Sequence, residues 1–282
     1  MSGRKYATPF DLLGAISLLS QKKRIQKFAQ VIERIVEPDM KVADIGTGTG
    51  ILALLAAKAG AAKVTAIDVH EDSILYAKKA AEHNKLDSAI EFKTMHFSEF
   101  KPHEKYDIVL CEMLSSMMLI EQQIPASLHI TKHVLKPEGI LLPKSVQIFG
   151  ILSQSESMLS RFAFQDLRFP SRPQTVGAEE RIELSDIEEI VKFDLRSLDD
   201  DYRVRKTLTF DIKQDGIAHG LCGMFQASLD DEIILDMEDG WKELFLPFEI
   251  PRKVKEGDCV KVKIEYLPGE FDSVRLLWID NN

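Results

Sequence analysis

The sequence predicts an α/β domain built on a parallel sheet, followed by a C-terminal antiparallel β-barrel. Up to about residue 143, short apolar segments alternate with helical segments. Beyond that position, strand-like segments follow one another with few helices between them. A glycine-rich loop between the first predicted strand and the next helix is typical of parallel sheets that bind ligands.

Strands and helices alternate in the first part of the chain, which implies parallel pairing through right-handed crossovers. An N-terminal helical segment, residues 1–38, is expected before the first strand. Strands are predicted at residues 41–45, 63–68, 90–94 and 107–111, and helices at residues 51–59 and 71–84. We therefore expect a Rossmann-like domain over residues 1–143.

Residues 144–282 are expected to form the barrel and to help bind a substrate. Turn signals such as Asp215-Gly216 and Pro268-Gly269 separate the predicted strands. These strands cover residues 146–152, 187–195, 207–212, 221–229, 232–237, 243–248, 260–266 and 274–279. Residues 154–180 break the pattern, and we interpret them as a helix followed by a proline-rich loop.

Composition restricts the partners and the compartment. The net charge of −9 disfavours non-specific nucleic-acid binding and suits a basic protein or peptide. Neither a signal peptide nor a membrane span is expected, since apolar runs stay far below the roughly 20 residues that cross a bilayer. Cys111, Cys222 and Cys259 lack CxxC spacing, which predicts a reduced, cytoplasmic protein without a metal site.

The segment from Asp44 to Gly50 carries the glycine loop. Glycines let the backbone turn tightly at the start of a helix, where free N–H groups can meet a polar ligand. The spacing Gly-x-Gly-x-Gly differs from the Gly-x-Gly-x-x-Gly of dinucleotide folds, so we discount an oxidoreductase. Asp68 ends the next strand and can accept hydrogen bonds from a ribose diol. A bare structural turn remains the alternative reading.

Two glutamates follow the fourth predicted strand. Glu112 stands just past its carboxyl end, and Glu121 comes nine positions later. A loop that doubles back would bring both carboxylates to one pocket, where paired hydrogen bonds can clamp a planar guanidinium. Such a clamp also orients one nitrogen toward a methyl donor. Alternatively, Glu112 caps the next helix and Glu121 lies on a solvated face.

These segments resemble the protein arginine methyltransferases. The resemblance covers residues 41–68 and 106–143 and includes the glycine loop, the segment from Asp107 to Met113 with Glu121, and the run from Leu135 to Pro143. It implies S-adenosylmethionine as cofactor and Glu112 and Glu121 as catalytic residues. It implies cofactor contacts from Arg24, Asp44, Gly46, Thr47, Gly48, Gly50, Ile51, Asp68, Val69, Met95, His96 and Glu112, and substrate contacts from Met113, Asp239 and Trp241.

The sequence also departs from that family. Gly240 replaces the barrel histidine, Met113 replaces an aromatic residue, and only Tyr6 and Phe10 are candidates for an N-terminal lid. The short span between residues 143 and 219 predicts that the family's dimerisation arm is reduced or absent, which leaves the oligomeric state open.

Three hypotheses stay open at this point. The first is an arginine N-methyltransferase acting on protein, and the second is a methyltransferase with another acceptor, such as a small molecule, a nucleic acid or another side chain. The third is a non-catalytic relative that retains the cofactor loop.

Overall fold

A computed structural model describes residues 12–280 of the chain. The first part contains a five-stranded parallel sheet of order β3-β2-β1-β4-β5. Its strands are β1 (Lys41–Ile45), β2 (Lys63–Asp68), β3 (Ile90–Thr94), β4 (Tyr106–Cys111) and β5 (Leu135–Leu142). The helices are α1 (Leu12–Leu18), α2 (Lys22–Ile35), α3 (Ile51–Lys58), α4 (Glu71–His83) and α5 (Gln123–His133).

Burial explains why these elements form. The central strands carry apolar residues on both faces, such as the successive residues Val42 and Ala43 of β1, which are 0% exposed. Strands of this kind need helices on both faces of the sheet. Helix α2 buries Phe28 and Ile32 on one side while its other side stays exposed. This packing leaves the carboxyl edge of the sheet to the loops.

The second part begins after Pro143 and consists of antiparallel sheets. One has the order β10-β6-β12-β14-β9 with β13 beside β12, a second has the order β11-β15-β16, and β7 and β8 form a hairpin. The bounds are β6 (Ser145–Gln154), α6 (Glu156–Ser160), β7 (Ala163–Phe164), β8 (Leu167–Arg168), β9 (Gln174–Val176), β10 (Ile182–Asp194), β11 (Val204–Asp211), β12 (Gly216–Ser228), β13 (Ile234–Leu235), β14 (Glu243–Val254), β15 (Cys259–Tyr266) and β16 (Arg275–Ile279).

The strand pairs of the antiparallel sheets do not form a closed ring among the described residues. A single bridge between Ser185 and Ile212 joins β10 to the β11 sheet. On the other side, Trp278 of β16 stacks on Phe248 of β14 with ring centres 4.1 Å apart. A backbone bridge on one side and a side-chain stack on the other thus join the two sheets.

The predicted Rossmann-like domain followed by antiparallel strands is confirmed, whereas the strand pairs do not close the predicted barrel among the described residues. The strand predicted at residues 232–237 shortens to β13, because Asp230 Oδ1 accepts the N–H groups of Glu232 and Ile233 and forms a turn. Residues 154–180 form α6 and three short strands, where a helix and a loop were expected. Within residues 12–280, no helix is long and apolar enough to cross a membrane.

Candidate active site

A cavity of about 440 Å³ opens at the carboxyl ends of β1, β2 and β4. Small-molecule sites typically span roughly 300–1,000 Å³. The walls come from α1, the loop after β1, the segment after β4 and the region around Trp241 in the antiparallel part. This is the crevice in which open parallel sheets bind their ligands.

Strand register brings three positions of chemical interest to one edge. Ile45, the last residue of β1, pairs with both β2 and β4. The residues that come next on the three strands are Gly46, Asp68 and Glu112, and all three line the cavity. The parallel sheet therefore places a flexible backbone beside two carboxylates.

The loop after β1 turns into α3 through glycines with left-handed backbones. Gly48 has φ +53°, and its N–H donates to the Asp68 carboxylate at 2.8 Å. Gly50 has φ +82°, and a Cβ there would lie 2.9 Å from the Cβ of Ala77 on α4. Gly50 is therefore required for the close approach of this loop to α4, whereas Gly48 lines the cavity.

Asp44 lies beneath this loop and ties it to α3. Its Oδ2 accepts hydrogen bonds from Thr47 Oγ1 at 2.6 Å and from the Ala53 N–H at 3.1 Å. The second bond satisfies one of the free N–H groups in the first turn of the helix. Burial raises the pKa of Asp44 to about 7, although both hydrogen bonds oppose the shift. A cation in the cavity would favour the ionised form.

Asp68 is fixed by backbone donors on both oxygens. Oδ2 accepts the Gly48 N–H at 2.8 Å, and Oδ1 accepts the His70 N–H at 2.9 Å. Each carboxylate oxygen has a further lone pair, so the oriented group can also accept hydrogen bonds from two neighbouring hydroxyls. This arrangement suits the diol of a ribose.

Met95 and His96 line the cavity beyond Asp68. The Met95 N–H donates to the Asp68 carbonyl at 2.8 Å, and His96 Nδ1 lies 2.8 Å from Ser98 Oγ. Burial lowers the pKa of His96. The imidazole is therefore neutral near pH 7, and this wall offers an uncharged surface to a flat heteroaromatic group.

The segment between β4 and α5 doubles back on itself. Ser115 Oγ accepts the N–H of Glu121 at 3.1 Å, which joins the two ends of the turn. Met117 and Met118 adopt left-handed backbones with φ of 64° and 50°. Such values are uncommon outside glycine and concentrate at functional sites. The turn returns the chain to its start, so Glu112 and Glu121 line the same cavity.

Buried polar side chains hold this segment in place. Gln123 is 0% exposed, and its Oε1 accepts the Met113 N–H at 2.8 Å. Its Nε2 donates to Ser127 Oγ at 3.2 Å. The Leu114 N–H donates to Glu112 Oε1 at 3.2 Å, and Oε2 of the same carboxylate binds a cation.

That cation is Arg24 of α2. It forms an ion pair with Glu112, and its guanidinium carbon lies 4.1 Å from the centre of the Trp241 ring. Burial lowers the pKa of Arg24 to about 10, while Glu121 and Asp239 oppose the shift. Burial also raises the pKa of Glu121 to about 8, and Arg24 opposes that shift. Arg24 stays charged at pH 7, whereas the charge of Glu121 depends on its neighbours.

The antiparallel part contributes one wall through the turn before β14. Trp241 Nε1 donates to the Leu114 carbonyl at 2.9 Å, and Ser116 Oγ donates to the Lys242 carbonyl at 2.5 Å. These bonds attach the turn directly to the glutamate segment. The position of the Trp241 ring is therefore fixed relative to both glutamates.

The cavity brings together most of the residues that the sequence singled out. Those that line it are Arg24, Asp44, Gly46, Thr47, Gly48, Ile51, Asp68, Val69, Met95, His96, Glu112, Met113, Glu121 and Trp241. Gly50 and Asp239 do not line it. Asp239 was expected to contact substrate, but it is 3% exposed and pairs with Lys27 at 2.6 Å. The lid candidates Tyr6 and Phe10 lie outside the described residues.

The cavity also contains residues that sequence reasoning missed: Gln21, His70, Gln122, Thr175 and Lys242. Gln21 has a local signal, because a residue three positions before Arg24 on a helix shares its face. Thr175 has none, since only the antiparallel pairing of β9 with β14 brings it to the cavity.

Sequence comparison places the chain among methyltransferases. The family model for ribosomal protein L11 methyltransferase (PrmA) matches residues 27–167, half of the chain. A ribosomal protein L11 methyltransferase from Acetivibrio thermocellus is 33% identical over 42% of this chain and 35% of its own length. An arginine N(omega)-methyltransferase from Streptomyces achromogenes subsp. streptozoticus is 23% identical over 88% of this chain and 74% of its own length.

Structure comparison supports the same fold. The Trypanosoma brucei PRMT1 enzyme–prozyme heterotetrameric complex with AdoHcy has a TM-score of 0.81 at 20% identity, over 95% of this chain and 93% of that chain. The chain spans 62%, 35% and 36% of the length of three curated relatives that are 32%, 33% and 34% identical. The solved structure extends over both parts of the chain, whereas the family model ends soon after the parallel sheet.

Proposed function

Because the chain belongs to the methyltransferase family described by the ribosomal protein L11 methyltransferase (PrmA) model, we propose that it transfers a methyl group from S-adenosylmethionine to a guanidinium nitrogen of arginine in a protein or peptide. One observation carries the choice of acceptor: Glu112 and Glu121 line one cavity beside the glycine loop. The Streptomyces arginine N(omega)-methyltransferase, which matches 88% of this chain, supports it.

The residues present fit the cofactor. Asp68, oriented by two backbone N–H groups, would bind the ribose diol, and the neutral surface at Met95 and His96 would face the adenine. Arg24 is a buried cation suited to a carboxylate, and Asp44 suits a neighbouring positive charge. When bound, S-adenosylmethionine supplies an electrophilic methyl group on a cationic sulfur.

The acceptor half of the cavity would orient a guanidinium. Glu112 and Glu121 would receive its N–H groups, and Trp241 would cover its face through a cation–π contact. This restricts the guanidinium to one plane and turns one nitrogen toward the glycine loop. A guanidinium bound beside Glu121 would lower the pKa of that carboxyl from about 8, and the ionised carboxylate could then accept the proton that the methylated nitrogen releases.

We also propose the division of the chain into a cofactor domain, residues 1–143, and a substrate domain, residues 144–282. The net charge of −9 supports a basic protein or peptide partner in preference to nucleic acid. The short elements between β6 and β10 support a reduced dimerisation arm. The free cysteines Cys111, Cys222 and Cys259 support a cytoplasmic location.

The test is transfer of labelled methyl from S-adenosylmethionine to a peptide rich in arginine, with the same peptide carrying lysine at each arginine position as control. We expect label only on the arginine peptide, recovered as methylarginine after hydrolysis. Label on the lysine peptide would leave the methyltransferase assignment intact and overturn the acceptor. Cofactor binding without transfer to any acceptor would favour a non-catalytic relative.

A further inference from the structure

Arg24 contacts the same side chains, Glu112 and Trp241, that would bind the guanidinium of the proposed arginine acceptor. Its guanidinium pairs with Glu112, and the guanidinium carbon lies 4.1 Å from the centre of the Trp241 ring. Glu121 raises the pKa of Arg24 through charge attraction. An external guanidinium requires the same carboxylate and the same ring face. Two cations cannot share these partners, because their repulsion is strong in a buried site. The chain therefore holds a guanidinium of its own in the acceptor half of the cavity.

Gln21 fixes Arg24 in that position. Its Oε1 accepts Arg24 Nη1 at 3.1 Å, and its Nε2 donates to the Gly240 carbonyl at 3.1 Å. Gly240 has φ +120°, and a Cβ there would lie 2.5 Å from Gln21 Cδ. Glycine at position 240 thus makes the space that the Gln21 side chain fills. One amide group connects α2, Arg24 and the turn that carries Trp241.

We propose that Gln21 is a positioning residue that holds Arg24 in the acceptor pocket, so that an external guanidinium enters only after a carboxylate has drawn Arg24 away. This rests on the proposed function. The methionine end of the cofactor carries such a carboxylate, and Arg24 is the buried side-chain cation among the described residues of the cavity. When Arg24 moves from Glu112 to the cofactor carboxylate, it keeps an ion-pair partner, and Glu112 becomes free to bind the acceptor.

Trp241 does not have to move in this exchange. Its indole N–H is held by the Leu114 carbonyl at 2.9 Å, independently of Arg24. Departure of Arg24 therefore uncovers a ring that is already in place. Two consequences follow: cofactor binds before acceptor, and the two affinities are coupled by the same factor in both directions.

The displacement is measured by ¹⁹F NMR of protein labelled with 5-fluorotryptophan. The chain has two tryptophans, and Trp278 lies 5.2 Å from Arg252 outside this cavity, which makes it an internal control. Trp278→Phe assigns the signals. S-adenosylhomocysteine is compared with 5′-methylthioadenosine, which has the same nucleoside and a thioether but no carboxylate. Calorimetry shows separately that each ligand binds.

We expect S-adenosylhomocysteine to shift the Trp241 signal while the Trp278 signal stays in place. 5′-Methylthioadenosine should bind without shifting either signal. Equal shifts from both ligands, or binding of S-adenosylhomocysteine with no shift of Trp241, would overturn the displacement of Arg24. Neither result would affect the proposed function. Absence of binding heat with S-adenosylhomocysteine would instead overturn the proposed function and the inference with it.

Coupling is measured with N-acetyl-arginine methylamide, a guanidinium probe without a carboxylate. Its affinity should rise at least tenfold when S-adenosylhomocysteine is saturating, and Gln21→Ala should reduce this ratio below about threefold by loosening Arg24. Lys23→Ala, at an exposed position on the same helix, is the matched control and should keep the wild-type ratio. A Gln21→Ala ratio equal to that of wild type would show that Gln21 does not position Arg24.

Discussion

Gly50→Ala tests the packing that sets the glycine loop over the cavity. The substitution forces a side chain onto a backbone with φ +82°, which costs roughly 1–2 kcal/mol for an L-residue. Its Cβ would also lie 2.9 Å from the Ala77 Cβ and 3.4 Å from the Ala77 Cα, so α4 must shift. Overpacking of this kind typically costs about 1–3 kcal/mol. We therefore expect a total loss of about 2–5 kcal/mol in the free energy of unfolding.

Gly60→Ala is the matched control. Gly60 also has a left-handed backbone, φ +100°, but a Cβ there would meet nothing within 4 Å. This variant should lose only the backbone contribution, about 1–2 kcal/mol. The difference between the two variants then measures the contact between the loop and α4, without the strain that both share.

The assay is urea unfolding followed by circular dichroism, together with calorimetric binding of S-adenosylhomocysteine. Gly50→Ala should be less stable than Gly60→Ala by about 1–3 kcal/mol. It should also bind the nucleoside more weakly, because Ser73 of α4 lines the cavity. Equal stability of the two variants would refute the packing role assigned to Gly50.

Three further predictions concern the polar groups of the cavity. Asp68→Asn should weaken S-adenosylhomocysteine binding by roughly 10-fold or more through loss of charge-assisted bonds, while the exposed Asp72→Asn should not, as measured by calorimetry. The affinity ratio of S-adenosylmethionine to S-adenosylhomocysteine should rise from pH 6 to 8, because Asp44 (pKa about 7) and Glu121 (pKa about 8) become anionic and favour the sulfonium cation; a flat ratio would contradict this. Gln123→Leu should destabilise the fold by about 1–3 kcal/mol in urea unfolding, because the Met113 N–H loses its acceptor, the fully buried Gln123, and unchanged stability would contradict this role.

The parallel sheet was predictable because its strands are short segments rich in apolar residues that alternate with helical segments and end at local turn signals. The predicted strands at residues 41–45, 63–68 and 90–94 agree with β1, β2 and β3 at both ends. The glycine loop and Asp68 were also predictable from local patterns, because a ligand at the strand ends needs particular residue types at short spacing. Local chemistry thus indicated the residues of the proposed cofactor half of the cavity.

The proposed acceptor half of the cavity was harder to predict from the sequence, because it depends on contacts between distant parts of the chain. The turn that returns Glu121 to Glu112 uses left-handed backbones at Met117 and Met118, which no local pattern indicates. The partnership of Gln21 with Gly240 spans more than two hundred residues and arises only when the two parts of the chain meet. Sequence alone showed Gly240 as a departure from the resemblance without showing what fills the space.

The most direct test of the account compares methyl transfer with cofactor binding in Glu112→Gln and Glu121→Gln. Both substitutions keep the shape of the side chain and remove its charge. We expect each to reduce transfer to the arginine peptide by at least about 100-fold, while S-adenosylhomocysteine binding stays within about tenfold, or about 1.4 kcal/mol. Transfer at the wild-type rate in either variant would contradict the claim that the two carboxylates orient the acceptor beside the glycine loop.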